Sequence, residues 1–203
     1  MTRPAGLILE YGNVLSRPQD QRCSDPAPAR IGTTAETLRS AYWQHRQAYD
    51  AGLPARAYWQ RVLATVGSGR AVDALDLAWL IEQDVGSWLV HHHAVWALAA
   101  EFRARGGRSA LLSNSGPEVM AKLRSERPID HLFDAVVISC EVGLSKPDPR
   151  IYRHCLARLG LEPPQALFVD DRADNIEGAA RIGLRTLQFD SPDALARLRS
   201  LLG

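Results

Sequence analysis

Cysteine is scarce in this chain: Cys23, Cys140 and Cys155 are three in 203 residues, odd in number and far apart. That argues against a disulfide framework and against a zinc site, and leaves all three as small apolar packing residues. An excess of charge is missing too. The 24 basic and 23 acidic residues sum to +1, and no basic stripe runs along the chain, so nucleic acid is not expected as a partner. No apolar run approaches the roughly 18 to 20 residues that a membrane span needs. The opening "MTRPAGLILEYG" has one Arg and a short apolar run cut off by an acid, without a cleavage site behind a proper hydrophobic region. It reads as a cytoplasmic, soluble protein with no membrane partner. Internal repeats and low-complexity tracts are also lacking. What remains is a globular composition, 46% hydrophobic and 23% charged, long enough for one domain with an insertion.

Five short apolar runs stand out: "GLIL" from residue 6, "SALLS" at 109–113, "DAVVIS" at 134–139, "ALFVD" at 166–170 and "RTLQF" at 185–189. Helical patterns lie between the later ones. "GPEVMAKLRSE" opens on Gly-Pro, and "PRIYRHCLARLG" closes on Gly. Strands alternating with helices of this length imply right-handed crossovers and a parallel sheet, whose carboxyl ends face one crevice. The fold class expected is α/β, a Rossmann-like parallel sheet with a helical cap inserted after strand 1.

The interval 17–105 breaks the alternation. A Pro-, Asp- and Arg-containing loop is followed by "TTAETLRSAYWQHRQAYDAG", by "PARAYWQRVLATVG" and by "AVDALDLAWLIEQDVGSWLV", each apolar at helical spacing. Such an insertion reads as a lid over the crevice, and "AVWALAAEFRARGG" returns the chain to the sheet. Its aromatic residues, Tyr42, Trp43, Tyr49, Tyr58, Trp59, Trp79, Trp88 and Trp96, read mostly as helix packing, with some free to face the crevice. The triplet His91-His92-His93 reads as a solvated helix start. Consecutive helical residues point about 100° apart and cannot converge on one ion.

Polar residues gather at the strand ends. Strand 1 delivers Glu10 and Gly12; strand 2 delivers Ser113 and Asn114; the loop after strand 3 holds Lys146; strand 4 ends in Asp170 and Asp171, with Asp174 and Asn175 just behind. Carboxylates on neighbouring strands repel one another unless a hard cation lies between them, and Mg²⁺ suits oxygen ligands plus a substrate phosphate. Ser113, nearby backbone N–H groups and Lys146 are placed to take the remaining phosphate oxygens.

The set "ILEYGNVL", "LLSNS", "SKPDPRIY" and "FVDDRADNIEGAARIGL" resembles, in order and position, the four motifs of the haloacid dehalogenase-like hydrolase superfamily, in its phosphatase-like subfamily with a small helical cap. The resemblance covers essentially the whole chain, with 1–16 and 106–203 as the α/β core and 17–105 as the cap. It implies that Glu10 stands where the family has the Asp that attacks phosphorus, and that Gly12 stands where a second Asp usually serves as acid and base. It further implies that Ser113, Asn114 and Lys146 bind phosphate, with Ser113 and Lys146 joining Glu10 in catalysis. Glu10, the Gly12 carbonyl, Asp170 and Asp171 would hold Mg²⁺, with Asp174 and Asn175 in support.

Two departures bear on activity. One extra methylene at Glu10 moves the carboxylate by more than about 1 Å, a misplacement that can cost on the order of 100-fold in rate. Losing the acid and base at Gly12 removes roughly 10² to 10⁴ more unless water or a cap residue substitutes. Three readings follow. The first is a Mg²⁺-dependent phosphatase of a small phosphorylated metabolite, working as a monomer or homodimer. The second is a non-catalytic member that binds a phosphorylated ligand or a protein partner, and the third is a dehalogenase-like hydrolase of carbon–halogen bonds.

Overall fold

A computed structural model of the chain describes residues 3–67 and 73–203. The five apolar runs become β1 Gly6–Leu9, β2 Arg108–Ser113, β3 Ala135–Ile138, β4 Ala166–Asp170 and β5 Arg185–Gln188. They form one sheet in the order β3-β2-β1-β4-β5, and every pairing is parallel. The chain winds to one side of β1 first and to the other side afterwards. Such a reversal opens a crevice at the carboxyl ends of the central strands, which are those of β1, β2 and β4.

The helices before β2 are α1 Gln21–Ser24, α2 Ala27–Ile31, α3 Ala35–Asp50, α4 Ala55–Val66, α5 Ala74–Ser87 and α6 His93–Ala104. After it come α7 Pro117–Glu126, α8 Ile129–Leu132, α9 Ser139–Val142, α10 Pro149–Leu159, α11 Ala173–Ala180 and α12 Ala194–Leu202. Side chains alternate across a strand, so the two faces of the sheet bury different residues. Leu7, Leu9, Leu111 and Val169 pack with α6, α7 and α12, whereas Ile8, Leu112, Val137 and Phe168 pack with α10 and α11. By α6 the chain is already in the sheet layer: Val95, Trp96, Leu98 and Phe102 are buried there.

The inserted helices start and stop where local chemistry dictates. The Thr34 hydroxyl accepts from the Thr37 N–H at the start of α3, and the Asp73 carboxylate accepts from the Leu75 and Asp76 N–H groups at the start of α5. Gly67 closes α4 with φ +63. The first residues of the α5 pattern, Ala71 and Val72, lie outside the described residues. Where a loop is expected after strand 1, α1 and α2 form instead. Asp20 caps the first, Pro26 and Pro28 start the second, and the burial of Ala27 and Ile31 against the neighbouring helices stabilises the second.

The insertion has an apolar cluster of its own, built on Tyr42, Tyr49, Tyr58, Trp59, Leu38 and Leu80. Tyr49 stacks on Tyr58 with centroids 4.6 Å apart, and Tyr42 meets Tyr58 edge-on at 5.7 Å. Most of its aromatic residues are therefore packing; Trp43, 49% exposed, is the exception. The histidine triplet needs correcting. His93 begins α6 and is exposed, but His92 is buried against Phe189, and half-buried His91 lies against Trp96. Their rings fill space beside other aromatic residues, so only the third is solvated.

Hydrogen bonds tie the insertion to the sheet-bearing part. The Tyr11 hydroxyl donates to the Trp88 carbonyl at 2.9 Å, the Tyr49 hydroxyl donates to Glu118 Oε2 at 2.9 Å, the Ala55 N–H donates to Glu118 Oε1 at 3.0 Å, and the Ser139 hydroxyl donates to the Asp50 carbonyl. These bonds hold the end of α3 over the carboxyl edge of the sheet.

Candidate active site

Glu10 follows the last residue of β1 and is fixed by its backbone N–H, which donates to the Val169 carbonyl at 3.0 Å. The chain then turns tightly through Tyr11–Leu15, with Asn13 in the left-handed region at φ +59, where a short polar side chain is tolerated. This turn points the Gly12 N–H back at Glu10 Oε1, 3.0 Å away. The Ser113 hydroxyl, from the end of β2, donates to the same oxygen at 2.6 Å, and the Lys146 ammonium pairs with Oε2. Three donors suited to an oxyanion thus converge on one carboxylate, and that carboxylate belongs to the protein.

Lys146 is buried and reaches two further acceptors. Its Nζ donates to Asp170 Oδ2 at 2.6 Å and to the Leu112 carbonyl at 3.1 Å. Burial lowers the pKa of this ammonium, while Asp170 pulls the other way. Asn114 sets the loop that carries it: the Asn114 side chain donates to the Lys146 carbonyl and accepts from the Lys146 N–H, both at 2.9 Å.

The two adjacent acids of β4 have different surroundings. Asp170 is fully buried; its Oδ1 accepts from the Arg172 N–H at 2.9 Å and Asn175 Nδ2 at 3.0 Å, and its Oδ2 from Lys146 and Asn175. Asp171 faces the crevice, its Oδ2 accepting from Asn13 Nδ2 at 2.8 Å. Burial raises the Asp171 carboxyl, and the Asn13 hydrogen bond opposes that shift. Asp174 is engaged by Arg172 Nη2 at 2.7 Å near the surface, whereas Asn175 reaches inward to Asp170. Ser113, Lys146, Glu10 and Asp170 therefore form one bonded cluster. Asp171 stands beside it with Asn13, and Asp174 stands apart.

The crevice encloses about 410 Å³. The end of β1, Ser113 and Asp171 form its floor, and Trp43, Arg46, Asp50 and Trp88 close it from the insertion. Arg46 Nε donates to Asp50 Oδ1 at 2.8 Å, and burial pushes the Asp50 carboxyl up to about 6. A Cβ at Gly12 would lie 3.5 Å from the Trp88 ring and 3.8 Å from Glu10 Oε1, with no backbone strain at φ −61. Position 12 therefore has room for a small side chain between those two groups. Asn13, Arg46 and Asp50 are the site residues that sequence reasoning missed; Trp43 and Trp88 are the inserted aromatics, left open in the sequence, that do face the crevice. A Gly-Asn turn hinted at the first, but its partner Asp171 lies 158 residues away in the chain.

Among the described residues, no three acidic, His or Cys side chains converge into an all-protein metal cage. Mg²⁺ does not need one, because it keeps several waters and takes one or two carboxylates with substrate phosphate. Of the four carboxylates that line the crevice, Asp50 is paired with Arg46 and Asp174 with Arg172, which leaves Glu10 and Asp171 beside the main chain of Gly12. That oxygen set fits a hard cation. Asp170 does not line the crevice.

A family model of the haloacid dehalogenase-like hydrolases matches residues 13–183. The chain belongs to this family. Among curated relatives of this haloacid dehalogenase-like hydrolase, a phosphoserine phosphatase of Thermus thermophilus is 38% identical over 95 residues, which is 46% of this chain and 38% of that enzyme. The first relatives are matched over between 10% and 38% of their own length. A hydrolase of the same family from Porphyromonas gingivalis shares the fold over 100% of both chains, with a TM-score of 0.74 at 20% identity. A Bacteroides thetaiotaomicron family member, solved in complex with magnesium and inorganic phosphate, superposes with a TM-score of 0.69 at 19% identity over 90% of this chain and 92% of its own.

Proposed function

We propose that this hydrolase is a Mg²⁺-dependent phosphatase of small phosphorylated metabolites, with Glu10 as the attacking carboxylate and the insertion as its cap. The observation that carries the reading is the convergence of Ser113 Oγ, the Gly12 N–H and Lys146 Nζ on a single anionic group at the end of β1. A phosphoryl group entering the crevice competes with Glu10 for these donors. Once displaced from Ser113, a Glu10 oxygen attacks phosphorus and the P–O bond to the alcohol breaks, with solvent water protonating the leaving alkoxide; a second water, giving its proton to solvent, later attacks phosphorus to release inorganic phosphate and free Glu10. Ser113 and Lys146 offset the charge on the phosphoryl oxygens throughout. Bound Mg²⁺ would supply further charge neutralisation at those oxygens, held by Glu10, Gly12 and Asp171. Asp170 acts at one remove: it fixes Lys146, and Asn175 fixes Asp170.

The same closure of Glu10 onto Ser113 and Lys146 favours a second reading, a family member disarmed as an enzyme that binds a phosphorylated ligand. Phosphate release from p-nitrophenyl phosphate and a panel of sugar, amino-acid and nucleotide monophosphates, with Mg²⁺ and with EDTA, separates the two. The phosphatase reading expects slow release that EDTA abolishes. Silence across the panel in Mg²⁺ overturns it in favour of the second.

A further inference from the structure

The wall that the insertion presents to the crevice carries an ion pair, Arg46 with Asp50, that the chemistry at phosphorus leaves unused. Arg46 is buried and held from several directions. Its Nε donates to Asp50 Oδ1 at 2.8 Å, its Nη1 donates to the Tyr42 hydroxyl, and its guanidinium lies 5.3 Å from the centre of the Trp88 ring. Tyr42 is fixed in turn, because its hydroxyl donates to Asp84 Oδ1 at 2.8 Å. The Asp50 main chain is anchored to the sheet-bearing part through the Ser139 hydroxyl. Both side chains are thus positioned before any ligand arrives, which lowers the entropic cost of binding to them.

One atom of each partner is left over. Arg46 Nη2 and Asp50 Oδ2 make no hydrogen bond among the described residues, and neither is one of the polar atoms sealed away from solvent without a partner. Both residues line the crevice, so a spare donor and a spare acceptor stand side by side on its wall. The Gln47 amide and the Ser145 hydroxyl line the same space, also without a side-chain hydrogen bond among the described residues.

This arrangement selects by chemistry. A carboxylate on the substrate would gain Nη2 but lie beside Asp50, and Arg46 already faces a second acid, Asp84, at 3.8 Å. An ammonium would gain Oδ2 but lie beside the guanidinium. An apolar group would displace water from both atoms and leave them unsatisfied. Hydroxyl groups donate and accept without adding charge. The carbon skeleton that joins them can pack on Trp43, whose half-exposed ring lines the same wall.

We infer that the alcohol part of the substrate is a polyol, so that the preferred phosphomonoesters are those of sugars and sugar alcohols, with neighbouring hydroxyls bound by Arg46 and Asp50. The inference rests on reading the crevice as a phosphomonoester site and names the class of ester that the site takes.

The test is calorimetric titration of the full chain in EDTA, where the phosphatase reading allows no turnover, at a pH above that at which Asp50 takes up a proton. The probes are ethyl phosphate, glycerol phosphate, ribose 5-phosphate, glucose 6-phosphate and phosphoserine. Affinity is expected to rise from ethyl phosphate through glycerol phosphate to at least one sugar phosphate, by about tenfold overall. Arg46→Lys keeps a cation beside Asp84 but has no second nitrogen to spare for the substrate, and it is expected to remove most of that preference. The series on the native chain stands by itself if Arg46→Lys does not fold. Equal affinity for ethyl and sugar phosphates, no binding of any sugar phosphate, tighter binding of phosphoserine than of every sugar phosphate, or an undiminished preference in folded Arg46→Lys overturns the inference. Phosphate release in Mg²⁺ without a polyol preference would sink this inference and leave the phosphatase reading standing. A polyol preference in binding without release from any ester would do the reverse.

Discussion

At the scale of single residues, the site turns on one methylene group and one ammonium. Glu10 is long enough to reach Ser113 and Lys146 together, and Lys146 bridges Glu10 and Asp170 in a buried cluster. Removing one partner from a buried pair strands the other charge, at about 3 to 5 kcal/mol. Lys146→Met should lose that much stability in urea unfolding, and adding Asp170→Asn should restore part of it. A loss below about 1 kcal/mol would mean that the cluster is not held as described. Glu10, Ser113 and Lys146 were legible in the sequence because strand ends in a parallel sheet deliver polar residues to one crevice. The separate surroundings of Asp170 and Asp171 were not. Adjacent residues in a sequence carry no sign of which one meets Lys146 and which one meets Asn13.

At the scale of elements, the placement of α3 over the sheet depends on a notch at Gly116. A Cβ there would fall 2.4 Å from the Tyr49 ring, whose hydroxyl is bonded to Glu118. Gly116→Ala should therefore destabilise by about 1 to 3 kcal/mol through overpacking. Gly12→Ala, with its nearest contact at 3.5 Å, should stay within about 0.5 kcal/mol. Unfolding midpoints of the two variants check the contrast, and equal losses would show that the α3–α7 contact is not tight. Strands and long helices were legible because their periodicity is strong and their ends carry Pro, Gly, Thr or Asp. Helices α1 and α2 were not, since four or five residues are too few to show a period and α2 is held by burying Ala27 and Ile31.

At the scale of the whole molecule, the insertion closes the crevice with a partly charged wall, and that wall makes stability depend on pH. Asp50 has its carboxyl raised to about 6, chiefly by burial, against the opposing pull of Arg46. Between about pH 4 and pH 6 the folded chain keeps a proton that the unfolded chain has released, so this group's contribution to stability falls as pH rises through that window. Above it the contribution is level. Asp50→Asn should flatten this part of the stability profile, read from thermal unfolding at half-unit pH steps; an unchanged slope would contradict the burial of the carboxyl. No helix among the described residues is long and apolar enough to cross a membrane, in keeping with the short apolar runs of the sequence. Family and fold were readable from four short motifs in order, because a doubly wound sheet leaves few places for its loops to meet. The walls of the crevice were not, since Trp43, Arg46 and Trp88 take their positions only from how the inserted helices pack.

The central claim is that Glu10 occupies the donors a phosphoryl group requires, and that its extra methylene throttles the chemistry. The direct measurement is kcat for p-nitrophenyl phosphate in Mg²⁺ by the native chain and by Glu10→Asp, side by side. Shortening the side chain frees Ser113 and Lys146 while keeping a carboxylate, so a rise of about 100-fold is expected. An equal or lower rate for Glu10→Asp would contradict the account.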